Sequence, residues 1–241
     1  MTVKLTNQDI YDRIYSAISE RRLLPGTKLS EEKLAQALHA SRTRVREVLL
    51  KLSQELIVET HPNRGAFVAT PKAEDIVQVF TVRRALERAI ASELAQAGQS
   101  QALAPLSRHL ELEAAARKVH DHVTLARLTG EFHVLLAETT GNRIYAESIR
   151  RLVALTGLII AQYSDDAHSA CPEDEHAQIV RAMEAGDATT AERLMLQHLH
   201  HVQAGIAPPP EAPPEVDFRQ IFGLNPDEAS GRNDSGRKRK A

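Results

Sequence analysis

At 241 residues the chain has room for two compact domains, and a composition that is 42% apolar but only 4% aromatic, with no Trp, points to cores of Leu, Ile, Val and Ala packed helix on helix. One cysteine, Cys171, excludes an internal disulfide and a thiolate zinc cage, and neither an apolar leader after Met1 nor a run of about 18 apolar residues occurs, so a cytoplasmic protein without a membrane span is expected. The net charge of -2 is unevenly divided: residues 1–71 hold 11 basic and 8 acidic side chains, residues 72–205 hold 13 and 18, and residues 206–241 hold 6 and 6, so the front third is the part suited to a polyanion.

The first helical period covers residues 8–20, with Ile10, Ile14, Ala17 and Ile18 on one face and Thr6 placed to cap it. Pro25-Gly26 makes a turn. Ser30 then caps a second helix whose Leu34 and Leu38 point inward, with Ala35 between them permitting close helix approach, and Ser41 caps a third from Arg42 to about Gln54 with an apolar stripe of Val45, Val48, Leu49 and Leu52. That spacing is a helix-turn-helix. The period then changes to two, and residues 57–60 and 66–69, joined through His61-Pro62-Asn63-Arg64-Gly65, read as a two-stranded wing.

After the break at Thr70-Pro71 the strand signal disappears. Six helices are expected at about 74–97, 101–118, 121–139, 143–164, 173–185 and 188–204, separated by Gly98, the His120 region, Gly141-Asn142, Cys171-Pro172 and Gly186-Asp187. Connections this short imply an antiparallel bundle. The proline-rich run from Pro208 to Pro214 and the polar stretch after it cannot pack alone, so residues 206–241 are expected to be a disordered tail, with its terminal Arg237-Lys238-Arg239-Lys240 cluster solvated. The fold class is therefore mostly α: a winged helix-turn-helix over residues 1–71 and an all-α six-helix bundle over residues 72–205.

On the third helix Ser41, Arg42, Thr43, Arg44 and Arg46 crowd the first turns while the apolar stripe occupies the other face. First turns reach base edges in the major groove, and arginine can bond guanine through two nitrogens at once. The blocks Leu24 to Ala35, Ser41 to Leu49 and Pro62 to Val68, occurring in that order, resemble the GntR family of bacterial regulators over essentially the first 70 residues. The resemblance implies that Lys33, Arg42, Thr43 and Arg46 contact the major groove and that Gly65, at the wing tip beside Arg64, approaches the minor groove. The sequence departs from the pattern at Leu56, where the family usually has Gly. A left-handed helix end costs Leu about 1 kcal/mol more than Gly, which argues for a different ending there.

The second part resembles the FadR-type effector domain in its all-helical FCD form, through Val82 to Glu87, Phe132-His133, Gly141-Asn142, Glu175 to Ile179 and Gly186 to Ala188. The resemblance implies a divalent metal, zinc by preference, held by His133, His176 and His198 from three separate helices. The Asp that usually completes such a set is absent: Thr129 stands in its position, a far poorer ligand, leaving a place for water or for an effector oxygen. His200 and His201 are expected to point to other faces. Arg83 stands where the family has an inward basic residue, suited to clamp a carboxylate-type effector; the alternative is a surface pair with Glu87 one turn on.

These readings converge on a homodimeric regulator that binds a palindromic double-stranded DNA operator as a repressor and is released by a small organic acid. The competing reading is a metal-dependent enzyme using the three histidines, which is weakened by the absence of a His-Glu-x-x-His motif and by the DNA reader fused in front.

Overall fold

In a computed structural model the described residues are 5–20, 22–98, 100–163 and 174–206. Helix α1 (Asn7–Ser19) starts with a reciprocal cap: the Thr6 hydroxyl accepts from the Asp9 amide at 3.1 Å, and the Asp9 carboxylate accepts from the Thr6 amide at 2.6 Å. The expected caps also hold at α2 (Glu31–Ala37) and α3 (Arg42–Gln54), where Ser30 and Ser41 accept from the amides of Lys33 and Arg44. Each such cap stabilises its helix by about 1 kcal/mol.

The wing is wider than the sequence pattern suggested. Strands β2 (Val58–His61) and β3 (Gly65–Val68) form the expected hairpin, but β1 (Lys28–Leu29) pairs with the outer edge of β3, so the antiparallel sheet has three strands in the order β1-β3-β2. Two residues are too few to show a period, and β1 exists because β3 offers it an open edge. Leu56 also differs from expectation. It adopts φ +61°, while the Leu56 amide donates to Ser53 and the Ile57 amide to Leu52, so the helix ends in the left-handed motif despite lacking glycine. Full burial of Leu52 and Ile57, the hydrophobic pair that closes this motif, offsets the backbone cost.

The bundle comprises α4 (Ala73–Ala97), α5 (Ser100–Lys118), α6 (His122–Thr139), α7 (Arg143–Tyr163), α8 (Glu175–Glu184) and α9 (Ala188–Ala204). Phe80, Ile90, Leu106, Phe132, Leu136, Ile149, Met183 and Leu199 fill its core, with α4 lying most extensively along α9. Ile206 packs on this core, so the chain remains attached to the bundle at the residue where a disordered tail was expected to begin; the rest of that tail, and Cys171, lie outside the described residues.

Helix α7 belongs to both cores. Its Ala154 and Leu158 are buried with Ile14, Ile18, Val45 and Leu49 of the N-terminal elements, and the Tyr15 hydroxyl donates to the Arg150 carbonyl at 3.0 Å. The same helix thereby carries the bundle on one side and the reader on the other.

Candidate functional site

The residues proposed to read DNA are outward on the reader. Lys33, Ser41, Arg42, Thr43, Arg46, Arg64 and Gly65 are exposed, and Arg44 is half-buried. Two of the arginines are already positioned. Arg46 donates through Nε and Nη2 to both carboxylate oxygens of Glu31, at 2.9 and 2.7 Å, which also holds the Glu31 carboxyl below its ordinary pKa. Arg44 donates to Asn7 at 2.7 Å, and Asn7 donates in turn to Glu47 at 2.9 Å, tying the recognition helix to the start of α1. At the wing Gly65 has φ +94° and open space where a Cβ would stand, while Arg64 lies over the Phe67 ring at 5.5 Å. A side chain at position 65 would be strained and would stand between the wing and whatever it approaches.

Inside the bundle, α6, α8 and α9 bring His133, His176 and His198 together. All three are buried, and one ring nitrogen from each lies within 4.8 Å of the others. The His198 Nε2 is 3.2 Å from the His133 Nε2 and 3.3 Å from the His176 Nε2. Each Nδ1 faces a carboxylate: His133 meets Glu87 in a short contact, His176 meets Glu113 at 3.0 Å, and His198 meets Glu175 at 2.9 Å. A carboxylate on Nδ1 fixes the proton there, which turns the Nε2 lone pairs toward one point. Phe132, stacked on His176 with centroids 3.9 Å apart, holds that ring in place.

Imidazole nitrogens at this spacing either share a proton as N–H···N hydrogen bonds or surround a cation. Zinc–nitrogen bonds of about 2.0–2.1 Å place tetrahedral ligands about 3.3–3.4 Å apart, which the two separations made by His198 match. The electrostatics are consistent with neutral ligands. Burial lowers His133 to about 3 and His198 to about 4, with the Arg83 charge acting in the same direction. Burial alone would raise Glu113, but hydrogen bonds from His109 and His176 outweigh it and bring it to about 2. Arg83 and His133 likewise outweigh the burial of Glu87 and hold its carboxyl well below the usual range.

The histidines open onto a cavity of about 540 Å³ that Arg83 and Thr129 also line. Arg83 does not form the surface pair that was the alternative to an effector clamp. It pairs with Glu87 at 2.7 Å, but this pair is buried rather than on the surface, and Nη1 donates to the Thr156 hydroxyl at 3.3 Å. Its Nη2 is buried without a hydrogen-bond partner among the described residues. The Thr129 hydroxyl donates to the Ala126 carbonyl at 3.1 Å and takes no part in the cluster of ligand atoms.

Sequence reasoning found the three histidines and missed the carboxylates behind them. Glu175 precedes His176 but serves His198, which no local spacing reveals. His201, expected to point away, meets the other oxygen of Glu175 in a short contact: three residues after His198 it lies on a neighbouring face, within reach of the same acceptor. His200 is exposed.

A winged helix-turn-helix joined through a shared helix to an all-α domain with a histidine-lined cavity is the architecture of a DNA-binding regulator of transcription. Residues 6–68 match the bacterial regulatory proteins of the gntR family, and residues 78–201 match the FCD domain. The chain belongs to the GntR family, in its FCD-bearing branch. It is 26% identical over 203 residues to the HTH-type transcriptional repressor RspR of Escherichia coli K12, covering 83% of this chain and 88% of that protein. A GntR transcriptional regulator from Rhodococcus sp. RHA1 has a similar structure, with TM-score 0.72 and 26% identity over 91% of this chain and 98% of the other. Escherichia coli McbR/YncC shares the fold at TM-score 0.73 and 20% identity, over 82% and 95% of the two chains. Among the described residues no helix is long and apolar enough to cross a membrane.

Proposed function

We propose that the protein is a cytoplasmic, homodimeric repressor that leaves a palindromic operator when a small carboxylate-bearing molecule enters the cavity beside a divalent ion, zinc by preference. The reader is residues 1–71 and the sensor residues 72–205. The observation that carries the reading is that Arg83, whose buried Nη2 has no hydrogen-bond partner among the described residues, lines the same cavity as the three converging imidazoles. A buried guanidinium donor left unpaired is costly, and an anion is the ligand that relieves it. Likeness to the repressor RspR supports the direction of control.

In this reading His133, His176 and His198 hold the ion, which when bound supplies positive charge and a coordination position open to an anionic oxygen. Glu87, Glu113 and Glu175 orient the rings and supply negative charge in place of the Asp that Thr129 replaces. Lys33, Ser41, Arg42, Thr43, Arg44, Arg46, Arg64 and Gly65 form the DNA-contacting set, and two copies read the two halves of the operator.

The test is calorimetric zinc titration after chelator treatment, followed by a thermal-shift screen of small organic acids with and without zinc. Wild type is expected to bind zinc, His176→Ala to lose it, and Thr129→Asp to bind it more tightly by restoring a carboxylate one turn before His133. An acid that stabilises wild type is expected to have no effect on Arg83→Met. Wild type and Thr129→Asp both without zinc affinity would overturn the metal site, and an unchanged acid response in Arg83→Met would overturn the clamp.

A further inference from the structure

The cavity is not built by the bundle alone. Asp12, Tyr15, Ser16 and Ser19, all on the reader's first helix α1, line it together with Arg83 and the histidines of the bundle. We propose that α1 is a working wall of the effector site, so that a molecule filling the cavity touches the DNA-reading domain itself and sets its affinity for DNA by that contact. The identity of the occupant rests on the reading above; the shared wall does not.

Three connections support direct transmission. Tyr15 lines the cavity and donates its hydroxyl to the backbone of α7 at Arg150, and Arg150 in turn binds Glu138 of α6 at 2.6 Å, with both partners of that ion pair on the cavity wall. Helix α7 presents Val153, Gly157 and Ile160 to the cavity while Ala154 and Leu158 are buried in the reader's core. Thr156, which accepts from Arg83, sits two residues from each of those core positions. An occupant bonded to Arg83 and extending to α1 therefore meets the reader at its own helix and at the helix its core is packed on. The physical requirement for coupling, an element whose position both sites bias, is met by α1 and α7 without a long path. Linkage makes the coupling reciprocal: bound operator must change the affinity of the cavity by the same factor that an occupant changes the affinity for operator.

The experiment uses full-length protein in which Cys171→Ser removes the one native thiol. In this background Ser16→Cys is capped with carboxyethyl methanethiosulfonate, which tethers a carboxylate at the wall and needs no knowledge of the natural effector. The control is the same cap on Arg13→Cys, an exposed position of α1 that is not on the cavity wall. The DNA is a duplex selected by wild type from a random-sequence library. Capping position 16 is expected to change operator Kd at least tenfold, the smaller methylthio cap to change it less, and dithiothreitol to restore it, which shows that the fold survives. Capping position 13 is expected to change Kd less than twofold. Equal effects at both positions, or none at position 16, would overturn the shared wall even if wild type binds zinc and an acid. An effect confined to position 16 in a protein that binds neither zinc nor any acid would leave the wall standing and remove the effector reading.

Discussion

Replacing Glu87 by Gln keeps the shape of the most buried carboxylate among the described residues of the bundle and removes its charge. Glu87 is 0% and Arg83 2% exposed, so Arg83 would be left charged in a largely desolvated place beside the cavity. Breaking a buried pair on one side costs about 3–5 kcal/mol; because the amide oxygen can still accept from Arg83 Nε, the lower end, about 3 kcal/mol, is expected. At about 2–4 °C per kcal/mol for a folded unit of this size, the melting temperature should fall by about 6–12 °C. Removing the stranded charge as well, in Arg83→Met with Glu87→Gln, should recover about 2 kcal/mol relative to Glu87→Gln alone, since neither residue then leaves the other unpaired. The assay is urea unfolding by circular dichroism on zinc-free protein, with the denaturant slope checked for constancy across the four proteins of the cycle. Single and double effects that add within about 0.5 kcal/mol would show that the two charges do not depend on each other, and the account of the Arg83–Glu87–His133 network would be refuted.

Leu56→Gly should stabilise the reader by about 1 kcal/mol, because glycine adopts the observed left-handed backbone without strain and Leu56 is largely exposed; a lower melting temperature would contradict this. Zinc-free protein should lose stability as pH falls below about 6.5, the ordinary histidine value. With His133 and His198 lowered to about 3 and about 4 in the fold, the unfolded chain binds more protons across that window, so stability rises with pH there; urea midpoints unchanged between pH 7 and pH 4 would exclude neutral buried rings. Arg42→Ala should weaken operator binding by about 1–3 kcal/mol and relax base preference, measured by titration against the selected duplex and single-base variants; normal binding would mean that another face of α3 reads DNA. Operator affinity should also fall steeply with salt, and a salt-independent Kd would contradict phosphate contacts.

Much of this protein could be read from local pattern. Helix periods, the Ser30 and Ser41 caps, the Gly-containing breaks and the change to period two at the wing are all set by residues within a turn or two of each other, and the helices formed close to where those signals placed them. Resemblance to known families then supplied the three histidines and Arg83. Other features arise from contacts between segments distant in sequence. Strand β1 exists only because β3 presents an edge, Leu56 holds a left-handed end because the flanking Leu52 and Ile57 are buried, and Ile206 is held by a core assembled far upstream. Glu113 and Glu175 became partners of His176 and His198 through packing of α5, α8 and α9, since hydrogen bonds between helices depend on rotation about each helix axis as well as on spacing along it. The cavity wall on α1 is the clearest case: Asp12 and Ser16 carry no signal of a ligand site in their own segment, and they line one only because α7 buries the same pair of residues, Ala154 and Leu158, in the core of the DNA reader.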